Sequence, residues 1–212
     1  MTARYEALIA AIDAANADDP RKVTIDGAER AFEIVYAERM TARLAALYPD
    51  ASELLQIATR AQHLRRWDIP RENFPLGRHG YNDWRKECRV HHARLVGELM
   101  RARGYDEEEI AHVGSIIRKE KLKKERDSQA LENVAAIVFL EHYFDDFHEK
   151  YKDYDDEKIV DILGKTLCKM SPKGHAAALA LPLPERTRAL VVAAIAKESE
   201  ALAKLAAVAV DE

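Results

Sequence analysis

Apolar side chains recur at three- and four-residue spacing through almost the whole chain, and the strict alternation of a half-buried strand is nearly absent. That pattern leaves helix-on-helix packing as the way to bury a core, so the expected fold class is all-α. The periodicity predicts helices over 3–16, 28–48, 51–67, 81–103, 107–121, 127–150, 156–169, 172–180 and 185–206. A compact single-domain bundle of about eight or nine helices over 1–212 is the expectation.

Local signals mark several boundaries. Asp50 with Glu53, and Asp106 with Glu109, have the spacing of an N-cap residue and its reciprocal carboxylate. Ser171 before Pro172 reads as an N-cap followed by proline at the first helical position, and Gly104 reads as a helix stop. Lys22 to Ile25 resembles a short extended piece, which alone makes no sheet. Residues 131–144 are apolar on nearly all sides, so the helix carrying Val134 to Phe144 is expected at the centre. One irregular stretch remains, Asp68 to Gly80, with two prolines and two glycines. Connections of that length inside a domain are more often functional than incidental.

Bulk properties exclude several classes. Hydrophobic residues at 48% and charged residues at 33% describe a well-solvated globular chain. The net charge of -4 gives no global attraction to nucleic acid or anionic membrane. Cys88 and Cys168 stand apart, without metal-knuckle spacing, and fit a reducing compartment. The N-terminal run lacks the apolar core of a secretion signal, and the apolar segment Ala201 to Val210 is too short to span a bilayer. A cytoplasmic location with no membrane partner is the expectation.

Charge is uneven along the chain. Residues 60–103 hold 11 Lys/Arg against 5 Asp/Glu, and residues 118–126 hold 6 against 2. Residues 141–157 reverse the balance, with 8 acidic and 2 basic. If the two basic segments meet in the fold they form a surface for phosphate, sulfate or carboxylate, whereas taken separately they are ordinary solvated helix faces. Composition favours the first reading, because both tryptophans sit among arginines. Arg66, Arg71, Arg78, Arg85 and Lys119 are the expected anion-binding groups, with Gln129 as a polar neighbour. Trp67, Tyr81 and Trp84 offer faces for a base or a cation.

Acid–base groups accompany them. His92 continues the apolar line of Cys88, Val96 and Leu99, where an imidazole must find a partner. His63 precedes Trp67 by one turn, Glu120 extends the line of Ile110, Val113 and Ile117, and Asp127 and Glu132 open the apolar helix. His63, His92, Glu120, Asp127 and Glu132 are therefore the expected catalytic set, with His63, His92 and Glu132 the donors for a divalent metal ion. Taken singly, Asp127 also reads as a helix N-cap and His92 as a satisfied core histidine.

Three resemblances bear on the chain. His91 to Met100, the stop at Gly104 and the run Gly104 to Ile110 resemble the early helices of HD-domain phosphohydrolases. That likeness implies a His-Asp pair near 118–119, where this chain has Arg118 and Lys119, so only a likeness of architecture carries over. Pro75 to Gly80 and Lys169 to Lys173 resemble the two signatures of class I aminoacyl-tRNA synthetases, but those work on a parallel sheet and the intervening residues read as helices. The broadest likeness runs through H-L-R-R-W-D-I-P-R, P-L-G-R-H-G-Y-N-D-W-R, His92-Ala93, D-S-Q-A-L-E-N-V-A-A-I-V-F-L-E and K-T-L-C-K-M-S-P-K-G-H. In that order these strings resemble domain-of-unknown-function family 4202, whose usual L-E-D is Leu131-Glu132-Asn133 here. The residues themselves point to an enzyme acting on a small anionic, phosphorylated or nucleotide-like substrate by metal-assisted or acid–base chemistry. The alternative they allow is a non-catalytic protein that binds RNA or a nucleotide.

Overall fold

The computed structural model describes Thr2 to Val210. The chain forms two compact units, one ending at Glu120 and the other beginning at Lys121. It is predominantly helical, with one two-stranded sheet among the described residues, as the periodicity requires. The elements outnumber the eight or nine expected, because several predicted helices are broken.

The first unit runs α1 (Ala3–Ala17), β1 (Lys22–Ile25), β2 (Ala28–Ala31), α2 (Phe32–Leu47), α3 (Glu53–Arg60), two 3-10 turns (Arg66–Asp68 and Arg71–Asn73), α4 (Gly77–Arg101) and α5 (Glu107–Arg118). The predicted helix over 28–48 gives up its first four residues to β2, which pairs antiparallel with β1. Asp26 and Gly27 connect them with φ of 51° and 80°, the two left-handed residues that a tight hairpin needs. A local turn preference thus overrides helix periodicity.

α2 starts at Ala31, which has no capping side chain, and Asp19 supplies the cap instead by accepting from the Glu33 backbone N–H at 3.0 Å. At α3 the cap is Ser52, accepting from Leu55 N, and not Asp50; Glu53 accepts from the Tyr105 hydroxyl. Asp106 and Glu109 form the expected capping box on α5. Leu8, Ile12, Met40, Leu44, Ile57, Val96, Met100, Val113 and Ile116 fill the core of this unit, each almost wholly buried. Burying one such side chain stabilises by about 1.5–3 kcal/mol, so these positions dominate the unit. Arg60 makes two 2.7 Å bonds to Asp13 and ties α3 to α1.

The second unit runs α6 (Arg126–His142), α7 (Phe144–Lys150), α8 (Asp156–Leu167), α9 (Pro172–Leu179), α10 (Glu185–Lys197) and α11 (Ser199–Ala206). The predicted helix over 127–150 breaks at Tyr143, whose backbone leaves the helical region. The break turns Phe144 inward, 1% exposed, edge-on to Phe139 at 6.0 Å. The helix expected over 185–206 likewise divides at Glu198. α6 is the buried helix that its composition implies, with Leu131, Val134, Ile137 and Val138 fully enclosed. Among the described residues no helix is long and apolar enough to cross a membrane.

Candidate functional site

The site of interest lies in the first unit, where the turn after α3 meets α2, α4 and the end of α5. Asn16, buried at the end of α1, accepts from the Arg65 backbone N–H at 2.9 Å. α3 ends at Arg60, and Arg65, in a left-handed conformation with φ 51°, closes the turn that carries Gln62, His63 and Leu64 and leads into the first 3-10 turn.

His63 is held on three sides. Its ring stacks on Tyr36, centroids 4.0 Å apart and planes 9° apart. Nδ1 lies 3.2 Å from Glu33 Oε2, and Nε2 lies 2.7 Å from an Arg66 guanidinium nitrogen. A guanidinium only donates, so Nε2 accepts and the ring proton sits on Nδ1, facing Glu33. Glu33 is fully buried and also accepts from Arg21. Burial pushes the Glu33 carboxyl up from its usual pKa, while Arg21 and Arg66 pull it back. Burial holds His63 well below the usual histidine range, helped by Arg66, Lys119, Arg21 and Arg85.

His92 comes from α4, its ring 6.0 Å from that of His63. Its Nδ1 is 2.8 Å from the Leu64 carbonyl, which only accepts, so the proton lies on Nδ1 and Nε2 presents a lone pair. That Nε2 has no partner within the protein, although the residue is 1% exposed. Burial, then His63 and Arg66, keep this imidazole well below its usual pKa. The core-histidine reading is thus half right: one nitrogen is satisfied by the backbone and the other is not.

Gln62, His63 and His92 line a pocket of about 30 Å³ together with Cys88 and Ile117. Four cations line it as well: Arg66, Arg85, Arg89 and Lys119. No carboxylate does, so with both imidazoles neutral the pocket is strongly positive and suits an oxyanion. A divalent cation would face repulsion there. Among the described residues of this unit no third His, Cys, Asp or Glu brings a ligand atom together with those of His63 and His92. A wider groove of about 610 Å³ is lined by α1 and hairpin residues, among them Asp13, Lys22 and Arg30, and none of its lining residues carries an unpartnered buried atom.

The sequence-derived residues divide accordingly. His63, His92, Arg66, Arg85 and Lys119 come together at the pocket. Trp84 stands behind Arg66, whose guanidinium lies 4.6 Å over its ring, and its indole N–H donates to the Ile69 carbonyl. Tyr81 is 45% exposed and 5.7 Å from Trp84. Trp67 lies under Arg65 instead. Arg71 donates to the Phe74 and Pro75 carbonyls, which makes it a staple of the irregular loop, and Arg78 is exposed on the first turn of α4. Glu120 is exposed and accepts from Arg118 at 2.7 Å, and Lys119 is the left-handed cap of α5.

Asp127, Gln129 and Glu132 stand on α6 in the second unit. The N-cap of α6 is Glu125, which accepts from the Asp127 and Ser128 N–H groups, so Asp127 is a first-turn residue and not the cap. Gln129 donates to Asn133 and to the Lys169 carbonyl, and Glu132 is 7% exposed. Asn133 accepts from the Ser171 N–H and donates to the Ser171 hydroxyl, joining α6 to the start of α9. The Ser171 hydroxyl therefore serves Asn133 and makes no capping bond of its own.

Glu33, Gln62, Cys88 and Arg89 were not among the residues singled out. Glu33 lies 30 positions before His63, and nothing local marks that pairing. Gln62 and Cys88 are legible only as polar or soft groups next to flagged histidines.

No curated protein and no solved structure matches the chain. The family described as "Domain of unknown function (DUF4202)" matches residues 6–191, which include the whole pocket and the α6–α9 junction. The likeness read from the motif strings is therefore one of descent, and the chain belongs to the DUF4202 family.

Proposed function

We propose that the protein is an enzyme acting on a small phosphorylated, nucleotide-like molecule by acid–base chemistry. The phosphoryl group is held by Arg66, Arg85 and Lys119, and His92 takes a proton at Nε2. The observation that carries the reading is the lone pair of His92 Nε2, buried and unpartnered, in a pocket lined by cations and no carboxylate. A buried neutral imidazole is a base already in its working form at neutral pH. Arg66 links the two halves: a bound anion competes for its guanidinium and frees His63 Nε2, which stays oriented by Glu33 and Tyr36. Exposed Tyr81 offers a stacking face near the Arg66–Trp84 pair for the non-phosphate portion.

The arrangement favours this chemistry over a metal-assisted route, because the pocket is ringed by positive charge and no third His, Cys, Asp or Glu ligand atom among the described residues clusters with those of His63 and His92. It also favours a small ligand over RNA. The Trp84 indole is occupied by Arg66 and Ile69, and the pocket is too small for a base.

Calorimetric titration with inorganic phosphate, pyrophosphate and nucleoside monophosphates tests the reading. Arg66→Met and Arg85→Met should each weaken phosphate binding by about tenfold or more. His92→Gln should bind within a few-fold of wild type and lose turnover. Failure of every phosphorylated compound to bind, or binding indifferent to Arg66→Met and Arg85→Met, sinks the proposal.

A further inference from the structure

A second residue of the pocket lining carries an unpartnered atom. Besides His92 Nε2, Oε1 of Gln62 is buried without a partner, in a side chain that is 8% exposed. Both residues line the same small pocket. Both atoms are acceptors: the His92 proton is engaged at Nδ1 by the Leu64 carbonyl, and Gln62 donates its amide to the Tyr36 hydroxyl at 3.0 Å. The dianion of a phosphate monoester brings acceptors only, so it can satisfy the cations but neither of these atoms. Leaving a buried acceptor unmet is costly, which calls for a donor. The pocket volume of about 30 Å³ accommodates a water, and water is the smallest species that brings two donors.

We infer that the site is built for two reactants, a water inside the pocket donating to His92 Nε2 and Gln62 Oε1 and an oxyanion held by the arginines and lysine that line it, and that the reaction is hydrolysis. The inference rests on the anion-binding reading above and adds the second substrate and the role of Gln62. With both O–H bonds engaged, the water oxygen presents its free electron pair to phosphorus. The new O–P bond forms as the bond from phosphorus to the leaving oxygen breaks, and the leaving oxygen keeps that electron pair. One water proton passes to His92 Nε2, and the imidazolium then releases it to the leaving oxygen. Gln62 gains and loses nothing; it holds the second O–H. A neutral amide suits that position, because a carboxylate there would repel the incoming anion. Tyr36 orients both the Gln62 amide and the His63 ring, so one residue sets two members of the site.

The test uses the full chain and inorganic phosphate labelled with oxygen-18, following loss of label to solvent by phosphorus NMR. Wild type should exchange the label faster than buffer alone. His92→Gln should abolish the exchange, and Gln62→Met should slow it by about tenfold or more while phosphate affinity stays within about threefold. Phosphate that binds wild type without exchange overturns hydrolysis and leaves anion binding standing. Phosphate that does not bind overturns both. Gln62→Met that folds, binds and exchanges like wild type removes the water-positioning role.

Discussion

Gly80 offers the sharpest test of how the irregular loop sits against the helix that carries His92. A Cβ at this position would stand 2.7 Å from the Pro75 carbonyl carbon and 3.0 Å from its Cα, and closer still to the carbonyl oxygen. The loop and the first turn of α4 must therefore part by roughly 0.7 Å or more before ordinary contact is reached. That separation strains the Arg71 bonds to Phe74 and Pro75 and the Trp84 bond to Ile69. Overpacking costs about 1–3 kcal/mol, and each hydrogen bond weakened adds up to about 1 kcal/mol. Replacing glycine by alanine inside a helix returns about 1 kcal/mol of propensity. The clash outweighs the gain, because the obstacle is backbone held in place by Arg71 and cannot rotate aside. Gly80→Ala should lose about 2 kcal/mol in urea unfolding and about 4–8 °C in Tm. Gly97→Ala is the control, since its Cβ meets only the end of the Ile110 side chain at 3.1 Å and should be near neutral. A Gly80→Ala protein as stable as wild type would refute the close approach and, with it, the account of how the loop is fastened.

Two further outcomes follow from the buried groups. His63 and His92 are kept neutral in the folded protein, whereas the unfolded chain protonates them near pH 6.5. Their contribution to stability is fully present above that pH and is lost as pH falls through it, by up to about 1.4 kcal/mol per pH unit for each histidine. Glu33, whose pKa is raised, acts with the opposite sign, since the folded carboxyl takes its proton before the unfolded one. Urea unfolding between about pH 7.5 and 5.5 should show a shallower decline for His92→Gln than for wild type, and equal slopes would contradict the neutral assignment. In the second unit, a Cβ at Gly174 would lie 2.6 Å from Asn133 Oδ1, which already accepts from Gln129 and from the Ser171 N–H. Gly174→Ala should cost about 2–3 kcal/mol, and much less in an Asn133→Ala background; additive costs would show that the two residues do not meet.

Much of this protein was written in local sequence. The three- and four-residue apolar spacing determined that the chain is helical, because each helix must show one apolar stripe to a neighbour regardless of which neighbour it finds. Asp106, Glu109, Gly104 and Pro172 set their boundaries through bonds and φ preferences that act within a few residues. The buried character of α6 followed from its composition, and the motif strings were sufficient to assign the family.

The misjudged elements share a cause: their local pattern was ambiguous and a distant or opposing preference decided. Asp26-Gly27 prefers a hairpin strongly enough to pull Ala28–Ala31 out of a helix, and Tyr143 breaks a helix so that Phe144 can be buried. At the pocket, sequence named the histidines and several of the cations but could not say which nitrogen of each ring carries the proton. That depended on Glu33, Leu64 and Arg66 arriving at particular ring atoms. Arg66 and Arg71 look alike in the sequence, yet one lines the pocket and the other fastens a loop, because only the fold decides which carbonyls lie within reach of a guanidinium. Chemical types are properties of residues, whereas an unmet hydrogen-bond acceptor is a property of packing, and so the tertiary structure alone distinguished Nε2 of His92 and Oε1 of Gln62 from the other polar atoms of the residues that line the pocket.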